Sequence, residues 1–152
     1  MLAKNSMELK FLSISSNESF ARTAVGCFVA QLNPTLEELA DIKTAVSEAV
    51  TNVIVHAYGD KTGDVNVSVA LSPGEVSIRV SDTGRGIENI DKAMKPFYTT
   101  AKTEERSGMG FTIMQTFMDE LKVTSGPNQG TTIAMRKKIQ GKPANKAADD
   151  AK

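Results

Sequence analysis

Several residue types and patterns are scarce in this sequence, and each shortage excludes a class of protein. The 152 residues include one cysteine, so no internal disulfide can form, which fits a reducing compartment. Lysine plus arginine and aspartate plus glutamate both total 18, so the chain lacks the basic excess of a nucleic-acid binder. No apolar stretch approaches the roughly 18 residues of a membrane-spanning helix. The N-terminus lacks the apolar region of a secretory signal, and we therefore expect a soluble cytoplasmic protein.

The common nucleotide-binding and kinase motifs are also missing. There is no G-x-x-x-x-G-K-[ST] phosphate loop and no G-x-G-x-x-G dinucleotide fingerprint. There is no H-R-D catalytic loop and no D-F-G, which excludes a eukaryotic-type protein kinase.

Hydrophobic periodicity divides the first part of the chain into a strand and a helix. Residues 9–15 are predicted as a strand, and helix signals begin at Asn17. Cys27 belongs to the expected apolar face of this helix and is interpreted as a core residue, not a reactive thiol. The other members of that face are Phe20, Ala24, Phe28 and Leu32.

A longer helix and a hairpin follow. Thr35 and Glu38 form a T-x-x-E capping box that opens a helix to about Ala57. Residues 65–71 and 76–81 alternate between apolar and polar side chains and are joined by Ser-Pro-Gly, which predicts a hairpin. The remaining predicted elements are a helix over 111–121 and two strands over 121–125 and 131–137.

This order of elements predicts one α/β domain over residues 1–140. We expect a two-layer sandwich with a mixed, mostly antiparallel sheet and helices on one face. Residues 141–152 have the composition of a disordered tail.

A line of polar residues interrupts the apolar surface of the long helix. Glu48, Asn52 and His56 are spaced four residues apart, so neighbouring members lie one turn apart. The residues expected to face the sheet are Ile42, Val46, Val50, Val53 and Ala57. From the helix alone, an exposed polar face and a ligand site are equally good explanations. As ligands, Asn52 could offer a neutral oxygen to Mg²⁺ and Glu48 could deprotonate a hydroxyl.

Three glycine-containing stretches favour the ligand site. The sequence SDTGRGI at 81–87 follows a predicted strand, and Asp82 at the strand end could accept a hydrogen bond from an exocyclic amine, as in adenine. RSGMGF at 106–111 places a glycine pair at a helix start, where backbone N–H groups favour a phosphate. GTT at 130–132 begins the last strand. A plain turn and a flexible hinge are the alternatives for the first two stretches.

In this order, the motifs resemble those of the GHKL ATPase superfamily, which includes gyrase and bacterial histidine kinases. EAVTNVIVHAY is similar to its N box, SDTGRGI to its first glycine box and RSGMGF to its second. Within the superfamily, roughly residues 8–136 resemble the anti-sigma serine-protein kinases of sporulating bacteria. That likeness is carried by NESFART, AQLNPTLEEL, KTAVSEAVTN and PFYTT. The implied architecture is the Bergerat-type ATP-binding fold.

The resemblance implies ATP or ADP with Mg²⁺ as ligands, and a role for each matching residue. Glu48 would be the general base, Asn52 would coordinate Mg²⁺, and Asp82 would bind the adenine amine. Thr131 would support the adenine side, and Arg22 would face a sigma factor. The other implied nucleotide-binding residues belong to the adenine floor and to a lid over 95–110; they are Gly84, Gly86, Ile87, Thr99, Thr100, Lys102, Arg106, Ser107, Gly108, Met109, Gly110 and Phe111.

Two positions depart from the superfamily pattern. Ala101 stands where a lysine usually follows the threonine pair of the lid, and Lys102 comes one residue later. Ala57 stands where a glycine usually follows the N-box histidine, so we expect the helix to continue slightly further.

The resemblance also implies partners. The protein would be a homodimer that binds a sporulation sigma factor, sigma F, and phosphorylates a serine of an anti-anti-sigma factor, with no direct contact to nucleic acid or membrane. His56, the only histidine, lies inside the nucleotide helix and is interpreted as a packing or hydrogen-bonding residue, so the acceptor is on another molecule. Three alternatives stay open: a related anti-sigma kinase of the general stress response, a GHKL ATPase that drives a conformational cycle, and a nucleotide-gated binding module without catalysis.

Overall fold

The structure is a computed structural model that describes residues 4–87, 89–94 and 109–142. Six predicted site residues lie outside the described residues: Thr99, Thr100, Lys102, Arg106, Ser107 and Gly108. Most of the predicted lid and residues 143–152 of the predicted tail also lie outside them.

The described residues form five strands and four α-helices, with two further helical segments. The elements in chain order are β1 (Asn5–Leu12), α1 (Ser16–Val29), a 3₁₀ turn (Ala30–Leu32), α2 (Leu36–Asn52), a π segment (Val53–Ala57), β2 (Asp64–Ser72), β3 (Glu75–Asp82), α3 (Ile90–Ala93), α4 (Gly110–Phe117), β4 (Glu120–Ser125) and β5 (Thr131–Lys138). In the part of the chain that is described, no helix combines the length and apolar character needed to cross a membrane.

The five strands form one sheet in the order β1-β2-β3-β5-β4, and each of the four pairings is antiparallel. Burial alternates along β2 and β3, so one face of the sheet is covered while the other is more open to solvent. The covered face packs against α1, α2 and α4. The predicted two-layer α/β sandwich is confirmed, with a sheet that is antiparallel throughout the described strands.

The long predicted helix is the central helix of this layer. The five residues expected to face the sheet are all buried: Ile42, Val46, Val50, Val53 and Ala57. Helix α2 contacts α1 on one flank and α4 on the other. The helical run continues beyond Asn52 as the π segment and ends at Ala57, as the sequence predicted. Single π turns of this kind are uncommon and occur often at functional sites.

Two element boundaries differ from the prediction. Strand β1 begins at Asn5 and ends at Leu12, because its whole length pairs with β2 from Leu71 back to Asp64. Helix α4 ends at Phe117, four residues early, because β4 starts at Glu120 and pairs with β5. The sheet pairings therefore override the helical periodicity of residues 118–121.

The predicted core face of α1 is wrong for Cys27 and Phe20, whereas Phe28 and Leu32 are partly buried and pack against the core. Cys27 is exposed, and Phe20 is 51% exposed. The residues that reach the core are instead Ala21, Val25 and Val29, which are fully buried. These smaller side chains follow an i, i+4, i+8 spacing on one side of the helix. They let α1 approach α2 closely, and the larger apolar side chains are left at the margin of the interface.

Glu38 joins the start of α2 to the C-terminal part of the chain. Its carboxylate accepts hydrogen bonds from the backbone N–H groups of Thr35 (2.9 Å), Gln140 (2.6 Å) and Gly141 (3.1 Å). Burial of the carboxyl raises its pKa, but these backbone hydrogen bonds outweigh burial, and the pKa lies below its ordinary value of 4.5. The predicted capping box is confirmed. The packed chain extends into the first residues of the predicted tail, because Lys142 N–H also bonds a backbone carbonyl.

Replacing Glu38 with alanine should lower the free energy of unfolding by roughly 1–2 kcal/mol, since helix caps and hydrogen bonds to charged groups contribute about that much. Because the folded-state pKa is lowered, this stabilisation is present above pH 4.5 and is lost as the pH falls through the lowered pKa. Urea unfolding from neutral to acidic pH measures both effects.

Glu37→Ala is the matched control, because Glu37 is an exposed acidic residue in the same helical turn. Both substitutions remove an acidic group from the first turn of the helix, but only Glu38 hydrogen-bonds Gln140 and Gly141 of the C-terminal segment. If the two substitutions lowered the free energy of unfolding equally at neutral pH, the hydrogen bonds from Gln140 and Gly141 to Glu38 would not stabilise the fold as proposed.

Candidate functional site

Asp82, Thr131 and Ser125 lie side by side at one end of the sheet, and Asp82 is the buried carboxylate of the site. Asp82 ends β3 and pairs with Thr131, the first residue of β5. Thr131 in turn pairs with Ser125, the last residue of β4. Strand alternation puts Asp82 on the same face as Val80, beneath the helices. A carboxylate that is 8% exposed therefore lies where the apolar core ends.

The surroundings of Asp82 disfavour its charged form. Burial raises the pKa of the carboxyl, and the backbone N–H groups of Gly84 and Thr131 offset burial only in part. Oδ1 accepts the Gly84 N–H at 2.9 Å. A carboxylate has about four acceptor positions, so Asp82 retains the capacity to accept a hydrogen bond from a ligand amine.

A turn over residues 83–87, the glycine turn, connects this carboxylate to the end of the long helix. A Cβ on Gly84 would collide with the carbonyl group of Ala57, the last residue of the π segment. A Cβ on Gly86, whose φ is +76°, would collide with the carbonyl of Gly126 on the other side. The glycine turn is thus held between the helix end and the β4–β5 connection, with no room for side chains at these two positions.

The β4–β5 connection holds the glycine turn through backbone hydrogen bonds. Gly130 N–H donates to the carbonyl of Gly84 at 3.0 Å, and Asn128 N–H donates to the carbonyl of Arg85 at 2.7 Å. Gly130 itself has a φ of +72°, and a Cβ there would collide with the backbone of Asp82. The GTT signal at 130–132 is therefore a packing requirement of the turn as well as a strand start.

Ser125 is a site residue that the sequence analysis missed. Its Oγ accepts the Ile87 N–H at 2.7 Å and donates to the Gly130 carbonyl at 2.7 Å. The same oxygen lies 3.0 Å from Thr131 Oγ1. Ser125 therefore ties the end of the glycine turn to both β4 and β5. The hairpin register that pairs it with Thr131 was the available signal.

Tyr58 was missed as well. Its hydroxyl donates to the Asp64 carbonyl at 2.6 Å and accepts the Thr83 N–H at 3.0 Å. Thr83 directly follows Asp82, so the tyrosine fixes the first step of the glycine turn from behind.

The helix above the turn carries the other predicted chemistry. Glu48 and Asn52 are partly buried on α2, one turn apart. Their neighbours Ala45 and Ala49 are completely buried, which confirms that the polar pair borders an apolar, covered strip. The π segment that continues this helix is the element against which Gly84 packs.

The second glycine box is described only at its C-terminal end. Met109 precedes α4, and Gly110 and Phe111 are buried in its first turn, where α4 packs against α2. Ile87 is partly buried against the core. Arg22 lies apart from these elements, on α1, where its Nε is 3.5 Å from a carboxylate oxygen of Glu18.

The structure thus brings together one group of predicted residues around the sheet end: Asp82, Gly84, Gly86, Ile87 and Thr131. It places Glu48 and Asn52 on the helix whose end seals this group. Within residues 4–87, 89–94 and 109–142, no three His, Cys, Asp or Glu side chains are grouped to hold a metal ion.

Known proteins resemble this chain in sequence and in fold. Residues 16–137 match the family described as histidine kinase-like ATPase domain. An anti-sigma F factor from Caldanaerobacter subterraneus subsp. tengcongensis is 60% identical over 135 residues, which are 89% of this chain and 94% of that protein. An anti-sigma F factor from Clostridium kluyveri is 56% identical over 133 residues, 88% of this chain and 94% of that one.

A solved structure supports the fold. The RsbU and RsbW domains of a Mycobacterium tuberculosis protein superpose with a TM-score of 0.65 at 20% identity, over 89% of this chain and 32% of that longer chain. At this identity the likeness concerns the fold alone, and it agrees with the predicted GHKL architecture.

Gly84→Ala should destabilise the protein by about 1–3 kcal/mol, as other substitutions that overpack a closed interface do. The added methyl group would meet the backbone carbonyl of Ala57, which cannot move away as a flexible side chain can. Thermal or urea unfolding measures the loss.

Gly26→Ala is the matched control. Gly26 is also buried, but a Cβ there would meet the flexible Lys43 side chain at 3.1 Å. This substitution should cost little, because alanine favours the helix and Lys43 can shift. A Gly84→Ala protein as stable as Gly26→Ala would show that the glycine turn is not packed as described.

Proposed function

This chain belongs to the histidine kinase-like ATPase family and, within it, to the anti-sigma F factors, and from that premise we propose that it is an ATP-dependent serine-protein kinase that also inhibits a sigma factor. The proposed partners are the sporulation sigma factor sigma F, which it binds, and an anti-anti-sigma factor, whose serine it phosphorylates. The family supports ATP binding. The names of the relatives support the two partners.

The observation that carries the proposal is the buried Asp82 beside the glycine turn. A carboxylate with remaining acceptor capacity, placed where the core ends, suits the exocyclic amine of adenine. Glycines at 84 and 86 let the turn pack against Ala57 and Gly126, which holds the Gly84 N–H on the Asp82 carboxylate. Thr131, opposite Asp82 in the sheet, would support the same side of the base.

Glu48 and Asn52 are proposed to act on the phosphate side. The Asn52 carboxamide offers a neutral oxygen, which fits a Mg²⁺ ion that keeps most of its other positions for phosphates and water. When bound, the ion would supply positive charge that offsets the phosphates. Glu48 would accept the proton of the partner's serine hydroxyl as that oxygen attacks the γ-phosphate, with ADP as the leaving group.

The start of α4 is proposed to support the phosphates from the other side. Backbone N–H groups at Gly110 and Phe111 have no intrahelical partner, because they lie in the first turn of the helix. The rest of the lid falls on residues outside the described part of the chain, so the roles of Thr99, Thr100, Lys102, Arg106, Ser107 and Gly108 stay predictions from the resemblance.

Partner binding is proposed to depend on the nucleotide. A lid that contacts the γ-phosphate presents different surfaces with ATP and with ADP, and a partner can prefer one of them. Arg22, partly exposed on α1, is proposed to contact the sigma factor, and the working form is proposed to be a homodimer. Two relatives named anti-sigma F factor at 56–60% identity favour this proposal over a stress-response kinase.

Glu48→Gln should reduce phosphoryl transfer by roughly 10²–10⁴-fold, the usual contribution of a general base. ATP affinity should change little, because the glutamine keeps the size and polarity of the side chain. Labelled ATP and an anti-anti-sigma protein provide the assay, with phosphoserine on the partner as the readout. Glu37→Gln, on an exposed position of the same helix, is the control. Normal transfer by the Glu48 variant would remove its assigned role.

Asp82→Asn should weaken ATP binding by at least about tenfold, as expected for loss of a hydrogen bond to a charged group. The same substitution should not lower the stability of the folded protein at neutral pH. Because burial raises the pKa of Asp82, the wild-type protein loses stability as the pH rises from the ordinary value of 3.8 through the raised pKa, and asparagine does not titrate. Above that range the variant should be at least as stable as the wild type.

Calorimetry with ATP and urea unfolding across the same pH range measure the two effects of the Asp82 substitution. Unchanged ATP affinity would overturn the adenine contact. A variant that is less stable than the wild type at neutral pH would instead show that the ionised carboxylate supports the turn.

A further inference from the structure

We propose that Arg85 is a positioning residue for the nucleotide site. Its side chain and its backbone together close the C-terminal end of the π segment, and so set the glycine turn relative to the helix that carries Glu48 and Asn52. This inference rests on the proposed function, because it concerns how that same site is assembled.

The first observation is the pair of hydrogen bonds that Arg85 makes to the helix end. Arg85 Nε donates to the carbonyl of His56 at 2.6 Å, and Arg85 N–H donates to the carbonyl of Ala57 at 2.8 Å. The last carbonyls of a helix have no partner within the helix and must be satisfied from elsewhere. Here one residue, 29 positions away in the sequence from His56, satisfies two of them.

The charge of the side chain matches its position. The C-terminal end of a helix carries partial negative charge, and a cation there stabilises it. A basic side chain that hydrogen-bonds the last carbonyls is a known way to cap a helix. Here the cation belongs to the glycine turn and not to the helix itself. The interaction that caps the helix end therefore also positions the glycine turn.

The second observation is the path from Arg85 to Asp82. Gly84 directly precedes Arg85, and its N–H donates to Asp82 Oδ1 at 2.9 Å. On the other side, the carbonyl of Arg85 accepts the Asn128 N–H at 2.7 Å. The orientation of Asp82 therefore depends on a backbone segment that Arg85 anchors to the helix end and to the β4–β5 connection.

The third observation concerns exposure. Arg85 is exposed beside an open hollow of about 410 Å³, whose lining includes Tyr58, Thr83 and Asn128. Since the side chain covers no core, its removal leaves no buried cavity, and water can reach the His56 carbonyl. The main consequence of removing the side chain should be a looser glycine turn. An effect on nucleotide binding can therefore be distinguished from a general loss of stability.

The test compares ATP with inosine triphosphate, which lacks the exocyclic amine that Asp82 is proposed to bind. Calorimetry gives both affinities for the wild type, Arg85→Ala and Arg85→Lys. In Arg85→Ala, ATP should bind more weakly, by up to about tenfold, because the loss of one hydrogen bond from a charged donor sets the upper limit, and the preference for ATP over inosine triphosphate should narrow. Lysine should restore part of the preference, because an ammonium can donate to the same carbonyl.

Arg79→Ala is the matched control, since Arg79 is an exposed arginine on the open face of the same strand that leads to Asp82. It removes the same charge without touching the helix end. Affinity and preference should both stay at the wild-type values. Thermal unfolding without nucleotide checks that each variant is folded at the assay temperature.

The possible results distinguish failure of the proposed function from failure of the positioning role of Arg85. If the wild type binds no ATP, the proposed function fails. If the wild type binds and prefers ATP, but Arg85→Ala keeps both its affinity and its preference, the positioning role is wrong while the proposed function stands. An equal weakening of both nucleotides that lysine does not restore would also overturn positioning. If Arg85→Ala does not fold, Arg85→Lys decides. A preference for ATP that is narrower than in the wild type would support positioning, and wild-type affinity and preference would overturn it.

Discussion

The contact between Gly84 and Ala57 is the constraint on which the rest of the site depends. The glycine turn approaches the end of the helical run so closely that a single methyl group would collide with backbone. This contact joins the sheet end, with Asp82 and Thr131, to the helix that carries Glu48 and Asn52. The two halves of the candidate site are therefore set by backbone packing, which side-chain motion cannot relax.

The helix α2 and its π extension serve the core and the site at once. Completely buried Val46 and Val50 hold it on the sheet, while Glu48 and Asn52 are partly buried next to the buried Ala49. A π turn adds one residue per turn and so shifts the last carbonyls relative to a regular helix. Those carbonyls are the ones that the glycine turn meets, so the irregular end is part of the site's geometry.

The sequence predicted the parts of this structure that depend on local pattern, and missed those that depend on long-range packing. The alternation of β2 and β3, the capping box at Thr35 and the run to Ala57 follow from periodicity and cap chemistry. Cys27 was misplaced because its helix buries small residues against α2, which its own periodicity does not show. Ser125, Tyr58 and Arg85 have no motif, since their roles come from hydrogen bonds across the fold. The residue types of Glu48 and Asn52 suggested a base and a Mg²⁺ ligand, but the helix alone left an exposed polar face as an equally good explanation. The roles of the lid residues came from the resemblance only.

The burial of Asp82 is a cost to the folded protein, and this links folding to ligand binding. Burial disfavours the charged form of Asp82, and two backbone N–H groups do not fully offset it. A ligand amine that donates to this carboxylate would add a further hydrogen bond to it, so part of the binding free energy would come from a cost already present in the unliganded protein. Any ligand that binds only the folded state adds to its stability in proportion to the logarithm of its concentration above Kd. Because Gly84 packs against Ala57, a base bound at Asp82 as proposed would contact the same turn that meets the end of the helical run, which offers a physical route from the nucleotide to the helices.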